Sequence, residues 1–115
     1  MSTERVLGMF ELTQEIARFR PEDNAAGRRA ETLVKTDGLR VVLVTMRAGA
    51  TLHEHTAPGP ITVHALQGSF RVTVEADAHE LAAGGLISIA TGIRHAVHAL
   101  EDGAFLLTIG ATSSP

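Results

Sequence analysis

The stretch Gly84–Ala99, GGLISIATGIRHAVHA, contains two short apolar segments separated by a Thr-Gly pair. In the second segment, His95 and Val97 share one face of an extended strand, while His98 lies on the other face. A glycine after threonine permits the tight turn that joins two such segments. The stretch therefore predicts two β-strands joined by a turn, with a histidine at the start of the second strand.

The same succession of short strands and turns extends in both directions from this stretch. The segment SFRVTVE at residues 69–75 alternates between apolar and polar side chains, as a strand with one buried face does. Turn residues, including the Asp37-Gly38 pair, recur every eight to twelve residues. This spacing is typical of an all-β sandwich or barrel, and it predicts one β-barrel domain over residues 31–112.

Residues 1–30 have a different character. Leu12, Ile16 and Phe19 recur at roughly helical spacing, which predicts a short helix. Pro21 would end that helix, because proline interrupts helical hydrogen bonding. We therefore predict an N-terminal arm over residues 1–30 that covers part of the barrel.

The composition limits the classes of function. The chain has 115 residues, which is too short for two domains, and its net charge of −3 gives no electrostatic reason to expect nucleic acid or a membrane as a partner. There is no cysteine, so disulfides and thiolate chemistry are excluded. The N-terminal residues lack the apolar segment of a secretory signal, and no apolar run approaches the roughly 20 residues of a membrane helix. We therefore expect a cytoplasmic protein.

The order of strands, glycines and histidines resembles that of the small single-domain cupins, which are RmlC-like, double-stranded β-helix (jelly-roll) barrels. Their second motif is a glycine, five residues, Pro-x-Gly, two residues and a histidine, followed three residues later by an asparagine. Gly84, Gly92 and His95 match this spacing, while Ala90 replaces the proline and Ala99 replaces the asparagine. The resemblance implies an all-β jelly-roll barrel with a short N-terminal arm.

The first motif of the family is kept less completely. It runs from a glycine through a His-x-His pair and a glutamate to a second glycine, and Gly49 and Gly68 match its two ends. In this register His55 takes the place of the first histidine of the pair. Ala57 stands where the family has the second histidine, and Ile61 stands where it has the glutamate.

The resemblance also implies a metal site, because the family uses the motif histidines and the glutamate as ligands of a divalent metal. Of these ligands only His55 and His95 remain. A two-residue step on a strand keeps a side chain on one face, so we expect His53 to supply a third nitrogen. Strict alternation turns His64 outward, whereas a bulge after Pro60 would bring it inward as a fourth ligand. Imidazole ligands suit a transition metal, and we expect zinc, iron, nickel or manganese.

Two functions are consistent with this pattern. In the first, the metal supports oxidoreductase chemistry of the dioxygenase type, or lyase chemistry, on a small carbonyl or carboxylate compound. In the second, the barrel is a metal-free binding module, and His55 and His95 only orient a small molecule at its mouth. The segment LRVVLV at residues 39–44 is apolar on both faces. Such strands need a cover on each side, so we also expect a homodimer.

Overall fold

The computed structural model describes residues 5–21 and 26–110 of the chain. Within these ranges the backbone forms one short helix followed by nine β-strands. Residues 1–4 and 22–25 of the predicted arm, and the last two residues of the predicted barrel domain, lie outside the described ranges. In chain order the elements are α1 (Leu12–Arg18), β1 (Arg28–Thr36), β2 (Leu39–Met46), β3 (Thr51–His55), β4 (Ile61–Gln67), β5 (Ser69–Val74), β6 (Asp77–Ala82), β7 (Leu86–Ile89), β8 (His95–Ala99) and β9 (Gly103–Gly110).

Two antiparallel sheets build the barrel. One has five strands in the order β1-β2-β9-β4-β7, and the other has four strands in the order β3-β8-β5-β6. From β3 onward the chain passes back and forth between the two sheets, with only β5 and β6 following each other in one sheet. The chain thereby winds as a double-stranded β-helix. This arrangement confirms the all-β jelly-roll architecture predicted from the sequence.

Alternation along the strands places the apolar side chains between the two sheets. Phe70 and Val72 on β5 are fully buried, as are Val63 on β4 and Phe105 on β9. The rings of Phe70 and Phe105 meet edge to face across the two sheets, with their centroids 5.2 Å apart. Such an aromatic pair contributes about 0.5–1.5 kcal/mol beyond the burial of its surface. These contacts fix the two sheets against each other.

Strand β1 begins at Arg28, which is three residues earlier than the predicted start of the barrel domain. Arg28 and Arg29 pair with Met46 and Thr45 at the end of β2. The guanidinium of Arg28 also donates a hydrogen bond of 3.1 Å to the carbonyl of Thr51. Because β1 is an edge strand, it tolerates charged side chains that a central strand would not.

The N-terminal arm contacts the barrel through the residue that follows α1. The hydroxyl of Thr45, which is buried on β2, donates a 2.6 Å hydrogen bond to the carbonyl of Phe19. The guanidinium groups of Arg18 and Arg29 lie 5.2 and 5.0 Å from the centre of the Phe19 ring. The helix itself buries no residue completely. Among the described residues, no helix has both the length and the apolar character needed to cross a membrane.

One turn brings two backbone segments into very close contact. Gly68 joins β4 to β5 and has a φ of +76°, which side chains other than glycine rarely adopt. A Cβ atom at this position would lie 2.5 Å from the carbonyl oxygen of Asp102 and 2.9 Å from the Cα atom of Gly103. Glycine is therefore required at residue 68 by both conformation and space.

Candidate functional site

Two histidines meet at one end of the barrel, where β3 ends and β8 begins. His55 and His95 are direct cross-strand partners, and their ring centroids lie 4.3 Å apart in an edge-to-face arrangement. The preceding pair in this ladder joins Leu52 to Val97, so β3 advances three residues while β8 advances two. A β-bulge in β3 therefore brings His55 to the same face as Leu52, facing His95.

Two contacts connect the bulged end of β3 to the loop before β8. Glu54, inside the bulge, places its Oε1 atom 3.1 Å from Nη1 of Arg94. The amide of Gly92 donates a 3.1 Å hydrogen bond to the carbonyl of Ala57. Because both partners of the Glu54–Arg94 ion pair are exposed, it contributes at most about 1 kcal/mol. These contacts nevertheless keep the end of β3 next to the residue that precedes His95.

Both imidazole rings are oriented in the same way by the backbone. Nδ1 of His55 lies 2.7 Å from the carbonyl oxygen of His53, and Nδ1 of His95 lies 2.9 Å from that of Ile93. A carbonyl oxygen can only accept a hydrogen bond, so in each ring Nδ1 carries the proton and donates it. In the neutral form the Nε2 atom then keeps its lone pair. No hydrogen bond from the described residues engages either Nε2 atom.

The environment keeps His95 neutral. The residue is 3% exposed, and burial lowers the pKa of His95 below its usual value of 6.5 because water no longer stabilises the imidazolium. The hydrogen bond to the Ile93 carbonyl acts in the opposite direction, and the neighbouring His55 lowers the pKa further. At neutral pH the His95 ring is therefore an acceptor or a metal ligand rather than a cation.

The two rings close a small apolar cavity. The centre of a water molecule could occupy a volume of about 10 Å³ inside this cavity. That volume is close to the minimum that one water molecule needs. Among the described residues that line it, the two imidazoles are the only titratable groups. The remaining lining residues are apolar: Leu52, Ile61, Val63, Val97, Phe105 and Leu107.

The structure does not bring His53 and His64 to this pair. The bulge interrupts the alternation in β3, so His53 lies on the face opposite Leu52 and contributes only its carbonyl oxygen to His55. His64 lies on β4 between Val63 and Ala65, which both face the core, and it is therefore on the outer face of its sheet. Within residues 5–21 and 26–110, no three His, Asp or Glu side chains form a group that could hold a metal ion.

The remaining two ligand positions of the family hold apolar residues. Ile61, where the glutamate is expected, is 2% exposed and lines the cavity beside the two rings. Ala57, where the second histidine is expected, packs against the core. The described residues thus supply two imidazole ligands and no carboxylate. They fit a metal ion only if water or a bound molecule completes its coordination.

A signal for the bulge is present in the sequence. Strict alternation that turns His53 and His55 inward would turn Leu52 outward, although it is the only large apolar side chain of the strand TLHEH. In the structure Leu52 lines the cavity together with His55. An apolar residue and a motif histidine three positions apart therefore indicate a bulge between them.

Two facing sheets that exchange successive strands, with a histidine pair at one end, define a small jelly-roll barrel of the cupin class. Residues 42–109 match the cupin domain family, and the chain belongs to that family. The comparison with curated proteins gave no match.

Several solved structures share the fold. A conserved protein of unknown function from Streptococcus pyogenes is 24% identical, with a TM-score of 0.77 over 98% of this chain and 95% of that one. An RmlC-like cupin from Shewanella frigidimarina is 19% identical, with a TM-score of 0.72 over 85% and 88% of the two chains. KdgF from Halomonas sp. is 23% identical, with a TM-score of 0.68 over 80% and 86%. At these identities the similarity establishes the fold alone.

Proposed function

We propose that this protein binds a divalent transition metal ion through the Nε2 atoms of His55 and His95, and that the ion holds a small carbonyl or carboxylate compound at the barrel mouth. One observation carries the proposal. Both Nδ1 atoms donate to backbone carbonyls, 2.7 and 2.9 Å away, and both Nε2 lone pairs are left for a ligand. This is the arrangement by which proteins fix the tautomer and orientation of metal-binding histidines.

The residues around the pair have separate roles in this function. Burial keeps His95 unprotonated at neutral pH, so its Nε2 atom is available without the loss of a proton. The apolar wall formed by Ile61, Val97 and Phe105 excludes water from the inner side of the site. A bound divalent metal ion would polarise a carbonyl group or lower the pKa of a water molecule. With two protein ligands, the open positions are left to water and to oxygen atoms of the bound compound.

A second candidate is a metal-free binding module, and the apolar residues at the other two ligand positions favour it. Ile61 directs a buried aliphatic side chain toward the space where the family has a carboxylate. In this function the Nε2 atoms of His55 and His95 accept hydrogen bonds from a hydroxyl or amide group of a small molecule. Apolar pockets with a few convergent polar atoms are typical of such binding sites.

Metal titration of protein purified without a histidine tag separates the two functions. With Zn²⁺, Ni²⁺ or Co²⁺ in isothermal titration calorimetry, we expect saturable binding of one ion per chain. His55→Ala and His95→Ala should each weaken the binding about tenfold or more, because each removes one of two protein ligands. His79→Ala, which changes an exposed histidine on β6, is the matched control and should leave the affinity unchanged. Absence of saturable binding, or equal effects of all three substitutions, rejects the metal site in favour of the binding module.

We also propose that the protein is a homodimer whose interface includes the start of the arm. Val6, Leu7 and Met9 are 70%, 55% and 93% exposed, which is unusual for three apolar side chains so close in sequence. Light scattering should give twice the 12.2 kDa of one chain. Replacement of all three residues with serine should give the monomer mass. A monomeric native protein would contradict this proposal without affecting that for the histidine pair.

A further inference from the structure

A second and much larger cavity lies between helix α1 and the barrel. Its volume is about 420 Å³, within the range of about 300–1,000 Å³ typical of small-molecule sites. Gln67, at the C-terminal end of β4, lines this cavity, whereas Ile61, at the N-terminal end of the same strand, lines the histidine cavity. The two residues are six steps apart along the strand, a distance of roughly 20 Å. The larger cavity is therefore at the other end of the barrel from His55 and His95.

Positive charge predominates among the described charged residues that line this cavity. Arg20 and Arg47 both line it, and the carboxylate of Asp102 is the one opposing charge among the described lining residues. Asp102 is engaged locally, because its Oδ1 atom accepts a 2.8 Å hydrogen bond from the amide of Ala48. No hydrogen bond or ion pair within the described residues engages the guanidinium of Arg20. A guanidinium matches a carboxylate with two parallel hydrogen bonds, so the side chain of Arg20 is suited to bind one in this cavity.

The other side of the cavity is apolar. Ile16 and Ala17 of α1 face it from above, and Met46 of β2 faces it from the barrel. Ile16 is only half-buried and α1 buries no residue completely, so the helix lies on the barrel without a filled interface beneath it. A molecule with an apolar body in this space would complete the packing of the helix.

We propose that this cavity is a binding site for a small amphipathic carboxylate, with the carboxylate on Arg20, electrostatic support from Arg47, and the apolar body against Ile16, Ala17 and Met46. The site is separate from the histidine pair in position and in chemistry. It presents a permanent cation and an aliphatic surface, whereas the other site presents two neutral imidazoles. Binding would stabilise the contact between α1 and the barrel.

The proposal is tested with hexanoate as the probe and 1-hexanol as its uncharged counterpart, in heteronuclear NMR titrations of the full chain. We expect saturable shifts of the Ala17 and Gly103 amides with hexanoate, and much weaker binding of hexanol. Arg20→Gln should reduce the hexanoate affinity about tenfold or more, because it removes a charge-assisted bidentate contact. Arg18→Gln is the matched control, since Arg18 lies against the Phe19 ring and does not line the cavity. It should change the affinity by less than about twofold.

Three results would overturn the proposal. The first is the absence of saturable hexanoate binding up to about 10 mM. The second is a shift pattern centred on His55 and His95 instead of α1. The third is an equal loss of affinity in Arg18→Gln and Arg20→Gln, which would indicate attraction by net charge alone. Slower tryptic cleavage after Arg18 in the presence of hexanoate supports the proposal independently, because binding then protects the arm.

Discussion

His55 on β3 and His95 on β8 lie directly opposite each other, although β3 has one residue more than β8 between this pair and the Leu52–Val97 pair before it. The extra residue is what turns His55 toward His95. Each ring then donates its Nδ1 proton to the carbonyl two residues earlier in its own chain segment. The chemistry of the site therefore depends on a local irregularity of the backbone as much as on the identity of the two side chains.

The stability of the protein should fall as the solution becomes acidic because of His95. Burial lowers the pKa of this ring below 6.5 in the folded chain, so the unfolded chain binds the proton more readily. From the folded-state pKa up to pH 6.5, the free energy of unfolding should therefore rise with pH. Below the folded-state pKa, the stability that depends on neutral His95 is lost completely. Urea unfolding at about pH 5 and pH 7.5 measures the change. His95→Gln should flatten this dependence, and an unchanged profile in that variant would contradict the assignment to His95.

Restoring a carboxylate at residue 61 should create a stronger metal site at the expense of stability. Ile61 lines the cavity beside both rings and is 2% exposed, so Ile61→Glu should cost about 3 kcal/mol or more in the absence of metal. Zinc should then raise the melting temperature of this variant more than that of the wild type. Glutamine has the shape of glutamate without its charge, so Ile61→Gln is the control. Equal stabilisation of both variants by zinc would show that the carboxylate does not reach a shared ion.

Gly68→Ala should be far more damaging than a substitution at another glycine of positive φ. Alanine at residue 68 combines an unfavourable φ with a 2.5 Å approach to the Asp102 carbonyl, so we expect a loss of about 3 kcal/mol or more. Gly38 has a φ of +84° but nothing within 4 Å of an added Cβ atom, so Gly38→Ala should cost only about 1 kcal/mol. Chemical denaturation compares the two. Similar losses would mean that the contact with Asp102 is unimportant.

Thr45→Val should loosen the arm while the barrel stays folded. The substitution keeps the shape of the side chain but removes its 2.6 Å hydrogen bond to Phe19, which should cost about 1 kcal/mol. Limited proteolysis with trypsin should show faster cleavage after Arg18. Thr73→Val on β5 is the control, because no hydrogen bond from the Thr73 hydroxyl is formed within the described residues. Equal cleavage rates in both variants would argue against this anchor.

The fold could be predicted because its determinants are local in sequence. Alternation in β5 puts Phe70 and Val72 in the core. Glycines supply the positive φ angles of the turns, as Gly38 does in the hairpin of β1 and β2 and Gly92 does in the connection from β7 to β8. The start of β1 was harder to predict, because Arg28 and its neighbours are polar and an edge strand imposes little pattern on its sequence.

The site could be predicted only in part. The spacing of the two motifs identifies His55 and His95, which the structure brings together. The position of His53 does not follow from strict alternation, because the bulge in β3 interrupts it. The spacing of Leu52 and His55 is the one trace of this bulge in the sequence. The cavity beneath α1 also has no sequence signal. It depends on how far a partly buried helix stands from the sheet, which is a property of tertiary packing.

The position of β3 at the edge of its sheet has a dynamic consequence. Among the described strands β3 pairs only with β8, so its separation from the barrel breaks a single strand pairing. Edge strands of this kind open with a free energy well below that of global unfolding. Such an opening would carry His55 away from His95, which sits on an interior strand. We therefore expect the two rings to exchange between a joined and a separated state inside a folded protein, and the amides of β3 to exchange with solvent hydrogen faster than those of β5.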